Sequence, residues 1–306
     1  MMSGNQLPAN MQVFERGWLS SNNILFTGPE QTALIDSGYS SHAPQTLALV
    51  QHALDGRSLD FLLNTHLHSD HCGGNALLQR TYGCRTAIPH AEADKVRTWD
   101  NDTLSFSATG QQCERFTFDA TLQPGDEVML GGTSWQALGA PGHDPHSLLF
   151  YNPEERILIS ADALWENGFG VIFPELDGES GFAETRATLD LIAGLDLRLV
   201  IPGHGAPFTD TEKALGLAYS RLEYFIADPL RNAQNAAKVM LKFLLLEWQQ
   251  IALTELPVLL RERRLFATIN ERFLQKTEEE LAQWLVSELV RVGVAETADG
   301  MLLNRG

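Results

Sequence analysis

Thr65-His66-Leu67-His68-Ser69-Asp70-His71 is the most informative segment of this 306-residue sequence, because it places three imidazoles and a carboxylate within six positions. It follows the largely apolar run Leu59–Asn64, which predicts a strand. On a strand the first two histidines share one face, and a turn or helix start then brings the aspartate and the third histidine toward the same point. Nitrogen and oxygen donors that converge at the end of a strand form half of a metal site.

Three further motifs follow later in the chain. Two are Gly-His turns, Pro141-Gly142-His143 and Pro202-Gly203-His204-Gly205, and the third is Asp162 after the largely apolar run Ile157–Ala161. Taken with the first segment, these motifs resemble the signature of the metallo-β-lactamase fold superfamily, in its glyoxalase II-like, small metallo-hydrolase branch. The resemblance covers roughly residues 11–228.

The resemblance implies a binuclear metal site. It assigns one metal to His66, His68 and His143, the other to Asp70, His71 and His204, and a bridging role to Asp162. A metal-bridged hydroxide is then the expected nucleophile, and Asp70 is the expected catalytic residue that orients it or moves its proton. Two divalent ions are the expected cofactor. Because the ligand set lacks cysteine, it suits zinc first and also tolerates iron or manganese.

The first two thirds of the sequence alternate short apolar runs with turns and helical stretches. Hairpins are predicted around Gly131-Gly132 and around Asn152–Glu155. Strands paired by hairpins and mixed with helices favour stacked sheets with helices outside. Together with the resemblance, this pattern predicts an α/β (α+β) fold, the four-layer αβ/βα metallo-β-lactamase sandwich, as a catalytic domain over residues 1–228.

The pattern changes in the last quarter of the chain. Three stretches there have helical apolar spacing: Ala233–Ile251, Leu256–Leu265 and Glu278–Val292. Thr277 and Glu280 predict a capping box for the last of them. Val294–Leu303 then alternates around Asp299-Gly300, which predicts a terminal hairpin. These features predict a small helical, winged-helix-like C-terminal domain over residues 229–306.

Charge is distributed unevenly along the chain. The formal net charge is −17, and residues 1–230 hold 12 Lys/Arg against 29 Asp/Glu, whereas residues 231–306 hold 10 of each. An acidic surface repels polyanions, which normally require clustered lysine and arginine. The sequence therefore predicts a small-molecule substrate and no nucleic-acid partner.

No segment predicts export or membrane insertion. The longest apolar run, Phe243–Leu246, is far shorter than a membrane span, and Met1–Asn10 lacks a secretory pattern. The three cysteines, Cys72, Cys84 and Cys113, suit a reducing compartment. A cytoplasmic protein without a membrane partner is expected, and a homo-oligomer is compatible with the sequence.

The function implied by the resemblance is a metal-dependent hydrolase of a small carbonyl substrate, which is a thioester, lactone, ester or amide. One alternative is a phosphodiesterase or endoribonuclease of the same fold, against which the charge distribution argues. Another is a mononuclear-iron, persulfide dioxygenase-like enzyme, which shares much of the motif. Flavodiiron relatives usually have glutamate where His68 stands, and a DNA-reading module needs a basic stripe that this sequence lacks.

Several residues outside the ligand set are candidates for supporting roles. Asp36 is expected to orient a ligand rather than to bind metal. Asp144 can accept a hydrogen bond from a ligand histidine, and His146 either lines the pocket or caps the next strand. Thr98–Ala120 is expected to form a loop over the site. The aromatics of Trp165–Phe173 either contact an apolar acyl group or pack under the C-terminal helices.

Overall fold

Fourteen strands and twelve α-helices form the described part of the computed structural model, residues 7–305. The strands are β1 Met11–Phe14, β2 Asn23–Thr27, β3 Thr32–Ile35, β4 Phe61–Leu63, β5 Arg85–Pro89, β6 Ala120–Leu122, β7 Glu127–Leu130, β8 Thr133–Gly139, β9 Leu148–Asn152, β10 Ile157–Ala161, β11 Leu199–Pro202, β12 Gln250–Ala252, β13 Ala295–Ala298 and β14 Met301–Asn304. The α-helices are α1 Ala43–Leu54, α2 Ser69–Cys72, α3 Asn75–Tyr82, α4 Ala93–Thr98, α5 Phe106–Thr109, α6 Pro174–Asp177, α7 Phe182–Ala193, α8 Thr211–Ile226, α9 Leu230–Trp248, α10 Leu256–Glu262, α11 Arg264–Ile269 and α12 Glu278–Arg291.

Two stacked sheets are built from the strands between Met11 and Pro202. The six-stranded sheet runs in the order β1-β2-β3-β4-β5-β6, with antiparallel pairs up to β3 and parallel pairs from β3 to β6. The five-stranded sheet runs in the order β11-β10-β9-β8-β7 and is antiparallel except for the parallel pair β10–β11. Both predicted hairpins, β7–β8 and β9–β10, are present.

Three apolar layers explain why the sheets stack. Phe26, Leu63 and Phe150 are among the side chains that fill the space between the sheets. The outer face of the first sheet packs on α1 and α3, and the outer face of the second packs on α7 and α8. Helices on both outer faces of two packed sheets give four layers. The sandwich predicted from the sequence is therefore confirmed.

The C-terminal elements have the order of a winged-helix module. Helix α9 is followed by β12, α10 and α12, with α11 inserted, and then by the hairpin β13–β14. The strands form a three-stranded antiparallel sheet in the order β12-β14-β13. The capping box at Thr277 is present. Strand β12 and the break at Arg263 were not predicted, because three residues of strand and one extended residue interrupt the helical period too briefly to be recognised.

The C-terminal elements pack directly on the sandwich. Their apolar core, which includes Leu244 and Leu285, also takes in Val171 and Leu176 from the segment after β10. Tyr39 Oη donates a hydrogen bond of 2.8 Å to Glu247 Oε2 across the same interface. Helices α8 and α9 meet near the predicted boundary of 1–228 and 229–306, and that division into two domains stays a prediction.

Within residues 7–305, no helix combines the length and the apolar character needed to cross a membrane. The prediction made for Met1–Asn10 falls partly on residues 1–6, which lie outside the described part.

Candidate metal centre

The metal-binding candidates lie at the carboxyl ends of strands from both sheets. Asp36 directly follows β3, and His66 lies just beyond β4, its parallel neighbour. Asp162 directly follows β10, and His204 lies just beyond β11, its parallel neighbour. Because parallel neighbours end at the same edge of a sheet, each pair is brought together by topology. His143 reaches the same place from the turn after β8.

Three histidines form the first donor group, here called the imidazole group: His66, His68 and His143. His66 Nε2 lies 3.0 Å from His68 Nδ1, and His143 Nε2 lies 2.8 Å from the same His68 nitrogen. His66 is fully buried, whereas the side chain of His68 is 18% exposed. Three nitrogens at such separations, with one side open, match the pattern of an open metal site.

Four residues form the second donor group, here called the carboxylate group: Asp70, His71, Asp162 and His204. His204 Nε2 lies 3.1 Å from Asp70 Oδ2, and His71 Nε2 lies 3.5 Å from Asp162 Oδ2. The same Asp162 oxygen lies 3.3 Å from His143 Nε2 of the imidazole group. Asp162 therefore touches both groups with one oxygen.

The hydrogen bonds of the ring nitrogens decide which atoms remain free. The Val171 carbonyl can only accept, so His143 Nδ1 donates to it at 2.6 Å and leaves Nε2 with a lone pair. His71 Nδ1 likewise donates to Asp36 Oδ2 at 2.7 Å. Its Nε2 is buried without a hydrogen-bond partner and faces the oxygens of Asp70 and Asp162. A lone pair aimed at two carboxylates is destabilising unless a cation lies between them, so the residues fit divalent metal ions.

Asp36 supports the carboxylate group without belonging to it. Its Oδ1 accepts the Thr65 amide at 2.9 Å, and its Oδ2 accepts the Thr65 hydroxyl at 2.8 Å as well as the His71 ring. The Asp36 residue has a φ of 58°, in the left-handed region that aspartate tolerates better than most residues. The structure therefore places Asp36 where the sequence prediction of an orienting residue requires it.

Backbone irregularities bring Asp162 into position. The register between β10 and β11 shifts between Ile159 and Ala161, and Ala161 has a φ of 44°. This bulge turns the chain out of the sheet directly before Asp162. Gly203 packs so closely that a Cβ atom there would collide with Asp162 Oδ1. The Pro-Gly-His turn thus needs glycine because the carboxylate occupies the space of a side chain.

Burial and charge act in opposite directions on the two groups. Burial and the neighbouring His68 lower the pKa of His143 to about 4. Burial also disfavours the charged form of His71, but the carboxylates of Asp162, Asp36 and Asp70 raise its pKa well above the ordinary value. Burial opposes ionisation of Asp162, yet the nearby imidazoles hold its pKa well below the ordinary value. The imidazole group therefore favours neutral rings, whereas the carboxylate group attracts positive charge.

A further polar cluster behind His68 was only partly foreseen. His146 Nδ1 bonds to Glu92 Oε1, the His146 amide donates to Asp144 Oδ1 at 2.8 Å, and Lys95 Nζ donates to Glu92 Oε1 at 2.9 Å. Asp144 Oδ2 lies 3.8 Å from His68 Nε2, too far for a good direct hydrogen bond. Glu92 was missed because it stands alone on a short helical turn after β5, with no motif around it.

Two tryptophans flank the carboxylate group. Trp18 stacks on His204 with ring centroids 5.3 Å apart and planes 11° apart, and Trp165 meets the same imidazole edge-on at 5.4 Å. Trp165 Nε1 also donates to Asp162 Oδ1 at 3.3 Å. Trp18 was not singled out in the sequence, because it lies in a loop with no metal-ligand spacing.

A cavity of about 810 Å³ opens onto both donor groups. Its lining includes Trp165, Phe169 and Phe173 from the aromatic segment, and Asp102–Gln111 supply part of the wall from within the predicted loop Thr98–Ala120. The Thr98–Ala120 segment also contains α5. His146 does not appear among the lining residues, and its ring is turned to Glu92 instead.

Comparison with known proteins gives the family. The sequence family described as the metallo-beta-lactamase superfamily matches residues 16–204, which contain both donor groups. The chain belongs to the metallo-beta-lactamase superfamily. Hydroxyacylglutathione hydrolases are among the curated proteins to which this superfamily member is similar.

Two of the relatives are hydroxyacylglutathione hydrolases. The protein of Rhodopseudomonas palustris (strain BisB5) is 32% identical over 142 residues, which is 46% of this chain and 46% of the relative. The protein of Brucella ovis is 29% identical over 154 residues, or 49% of this chain and 50% of the relative. The chain thus spans about half the length of the curated relatives it matches.

Solved structures show the same fold. A metallo-beta-lactamase family protein from Thermus thermophilus has a TM-score of 0.57 at 21% identity and covers 96% of this chain and 98% of its own. The protein TTHA1623, solved in a di-iron-bound form, has a TM-score of 0.53 at 27% identity and covers 67% of this chain and 96% of its own. As a superfamily member with both donor groups in place, the chain has the residues of a metal-binding site. Its substrate does not follow from membership.

All seven residues that the sequence motifs assigned to the metals lie in the two donor groups. Their assignment to individual metal ions stays a prediction. The remaining histidines lie elsewhere. His52 and His90 are exposed, and His42 is half-buried against Ser20 Oγ at 2.9 Å. Cys72 is buried behind the site with its Sγ 3.8 Å from that of Cys113, which agrees with a packing role.

Proposed function

We propose that this chain hydrolyses a small carbonyl compound, with thioesters as the first class and lactones, esters and amides as related ones. The observation that carries the proposal is the convergence of two donor groups on one cavity, which lets a bound substrate reach both. The name of the curated relatives, hydroxyacylglutathione hydrolase, supports an acyl substrate.

Two divalent cations are the proposed cofactor, with zinc first and iron or manganese as alternatives. The imidazole group would hold one ion. Asp70, His71 and His204 would hold the other, and Asp162 would contact both because its Oδ2 lies within 3.5 Å of nitrogens from each group. Such ions lower the pKa of a water molecule toward neutrality and polarise a carbonyl oxygen.

The protein's own side chains would orient the reactants. Asp70 lines the cavity with its side chain 11% exposed, which suits it to accept a proton from the attacking water. Asp36 fixes the ring of His71 and its tautomer through the bond to Nδ1. Trp18 and Trp165 cover His204 and would limit the access of bulk water on that side.

We propose that nucleic acid is not the substrate, although the C-terminal part has the topology of winged-helix modules that read DNA. The helix that would read DNA in such a module is α12, which carries four glutamates and one arginine. Its apolar face, with Leu281, Leu285 and Leu289, is buried in the C-terminal core. A polyanion would meet the acidic surface of residues 1–230 and, in the C-terminal part, a helix α12 that is itself mostly acidic.

The test is an activity panel on the purified full chain with zinc, iron or manganese supplied. Hydrolysis of a hydroxyacylglutathione or another thioester, lost in His66→Ala, is the expected result, together with close to two metal equivalents per chain. Cleavage of single-stranded RNA at low salt, with no carbonyl compound hydrolysed, would refute the proposal. One equivalent of iron after metal supplementation would instead favour the dioxygenase-like alternative.

A further inference from the structure

The cavity at the metal centre extends well beyond the metal-binding donors. Its volume of about 810 Å³ lies in the upper part of the range of about 300–1,000 Å³ that is typical of small-molecule sites. A short acyl group bound at the two donor groups would leave most of this space filled with water. The remaining lining therefore carries information about the rest of the substrate.

An apolar wall continues the cavity away from the donors. It is defined here by six lining residues from both parts of the chain: Leu104, Phe173, Val239, Met240, Leu246 and Leu265. Four of them belong to α9 and α11 of the C-terminal domain. Water against such side chains is unfavourable, so an apolar ligand that displaces it gains binding energy.

Phe173 joins this apolar wall to the metal centre. Its ring centroid lies 5.3 Å from that of His68 and 5.4 Å from that of His143. The segment around it is held by the C-terminal domain, since Asn232 Nδ2 donates to the Ile172 carbonyl at 2.9 Å. A chain attached to a carbonyl carbon at the donors would therefore meet the Phe173 ring first and could continue from it along the wall.

The lysines that line the cavity are already engaged with protein groups. Lys95 Nζ lies 2.9 Å from Glu92 Oε1, and Lys238 Nζ lies 3.4 Å from Glu288 Oε2. Lys242 Nζ donates to the Val294 carbonyl at 2.9 Å. These partners leave the lysines poorly suited to bind a highly charged group. Arg264 on α11 also lines the cavity and adds one cationic group to the apolar contacts of the C-terminal side.

We propose that the substrate carries an extended aliphatic acyl chain, and that the C-terminal domain binds this chain through the apolar wall. The inference rests on the proposed hydrolysis of thioesters and adds the class of the acyl group. On this view the winged-helix-like domain selects substrates and does not read nucleic acid. Each methylene group buried on an apolar wall improves binding by up to about fourfold.

A chain-length series tests the inference. Acetyl, butyryl, octanoyl and dodecanoyl thioesters of N-acetylcysteamine are assayed on the zinc-supplied full chain, beside butyryl thioesters of glutathione and coenzyme A. We expect kcat/KM to rise at least about 30-fold from acetyl to octanoyl. A flat or falling series, or a dependence on the thiol instead of the acyl chain, overturns the inference and leaves thioester hydrolysis standing. Failure to hydrolyse any thioester overturns both.

A matched pair of variants tests whether the apolar wall causes the dependence of kcat/KM on acyl-chain length. Val239 on the wall and Val258 on α10 are both 42% exposed, and only the first lines the cavity among the described residues. Val239→Glu should lower kcat/KM for octanoyl about tenfold and spare acetyl, whereas Val258→Glu should change neither. The near-isosteric Val239→Thr should give the same selective loss at about threefold if the glutamate variant folds poorly. Equal losses on both thioesters, or the same loss in Val258→Glu, contradict the proposal.

Discussion

The two donor groups differ more in their surroundings than in their number of ligands. The imidazole group consists of three rings, one of them 18% exposed, with the Asp144 carboxylate behind it at 3.8 Å. The carboxylate group buries Asp70 and Asp162, and its His71 is bonded at 2.7 Å to Asp36, which is itself buried. One group is neutral and has no carboxylate in hydrogen-bond contact behind its rings, whereas the other is charged and has the buried Asp36 carboxylate bonded to His71.

This difference indicates how strongly each group requires a bound cation. Neutral imidazoles can remain empty at little electrostatic cost, and burial keeps them unprotonated. Two buried carboxylates require compensating positive charge, because a charge inside a protein is strongly destabilising unless it is paired. We therefore infer that a cation at the carboxylate group contributes more to the stability of the fold than a cation at the imidazole group.

The largest effect is expected from Asp162→Ala, which removes the oxygen shared by both groups. Activity should be abolished, and the metal content should fall from about two equivalents to one or fewer while the protein stays folded. Elemental analysis and circular dichroism check the two halves of this prediction. Metal content equal to that of the unaltered chain would show that Asp162 does not contact both ions.

A smaller effect is expected from Asp36→Asn, which weakens the orientation of His71. Loss of such a supporting group typically lowers metal affinity or activity by about 10- to 100-fold. Competition with a chelator of known affinity measures the change, and the fraction of protein that keeps its second ion shows which group has lost it. If the metal ion were lost selectively from the imidazole group, Asp36 would not support the carboxylate group as assigned here.

Asp144→Asn is the matched variant on the other group, and its effect should be less than about tenfold, because 3.8 Å from His68 Nε2 is too far for a strong bond. The same chelator competition applies. If Asp144→Asn weakens metal binding as much as Asp36→Asn, the two groups are equally supported and the contrast drawn between them is wrong.

The smallest effect concerns His146. Its bond to Glu92 raises the His146 pKa above the ordinary value, with burial opposing. A raised folded-state pKa stabilises the fold fully below about pH 6.5, and this contribution is lost as pH rises through the folded pKa. His146→Gln should therefore reduce the free energy of unfolding by about 1 kcal/mol or less near pH 6, and by less at pH 9. If the loss of unfolding free energy in His146→Gln were larger at pH 9 than at pH 6, the folded-state pKa of His146 would be lowered and not raised.

The sequence predicted which residues converge at the site, for a physical reason. Metal ligands need a particular residue type at a particular place relative to a strand end, so His66 and Asp162 carry local signals. The two hairpins were found for the same reason, since Gly131-Gly132 and Asn152–Glu155 are local turn signals. Strands β1 and β2 were not foreseen, because their short runs have no turn motif comparable to those.

Supporting contacts could not be predicted, because they depend on topology instead of spacing. Glu92 approaches His146 from 54 positions away in the sequence, and Asn232 reaches the Ile172 carbonyl from 60 positions away. The Val171 carbonyl that fixes His143 has no side-chain signal at all. The apolar wall could not be predicted either, because leucines that line a cavity and leucines in a core have the same helical period.

Trp18 gives the carboxylate group an optical signal of its own. It is 56% exposed, and its indole lies flat against His204, whereas the aromatic ring next to the imidazole group is Phe173. A cation that draws electron density from His204 should alter the emission of this indole, and one that fills only the imidazole group should leave it nearly unchanged. The order in which the two groups bind metal can then be followed by fluorescence without any substrate. The Trp18→Phe variant serves as the reference that separates the emission of this indole from that of the other five tryptophans.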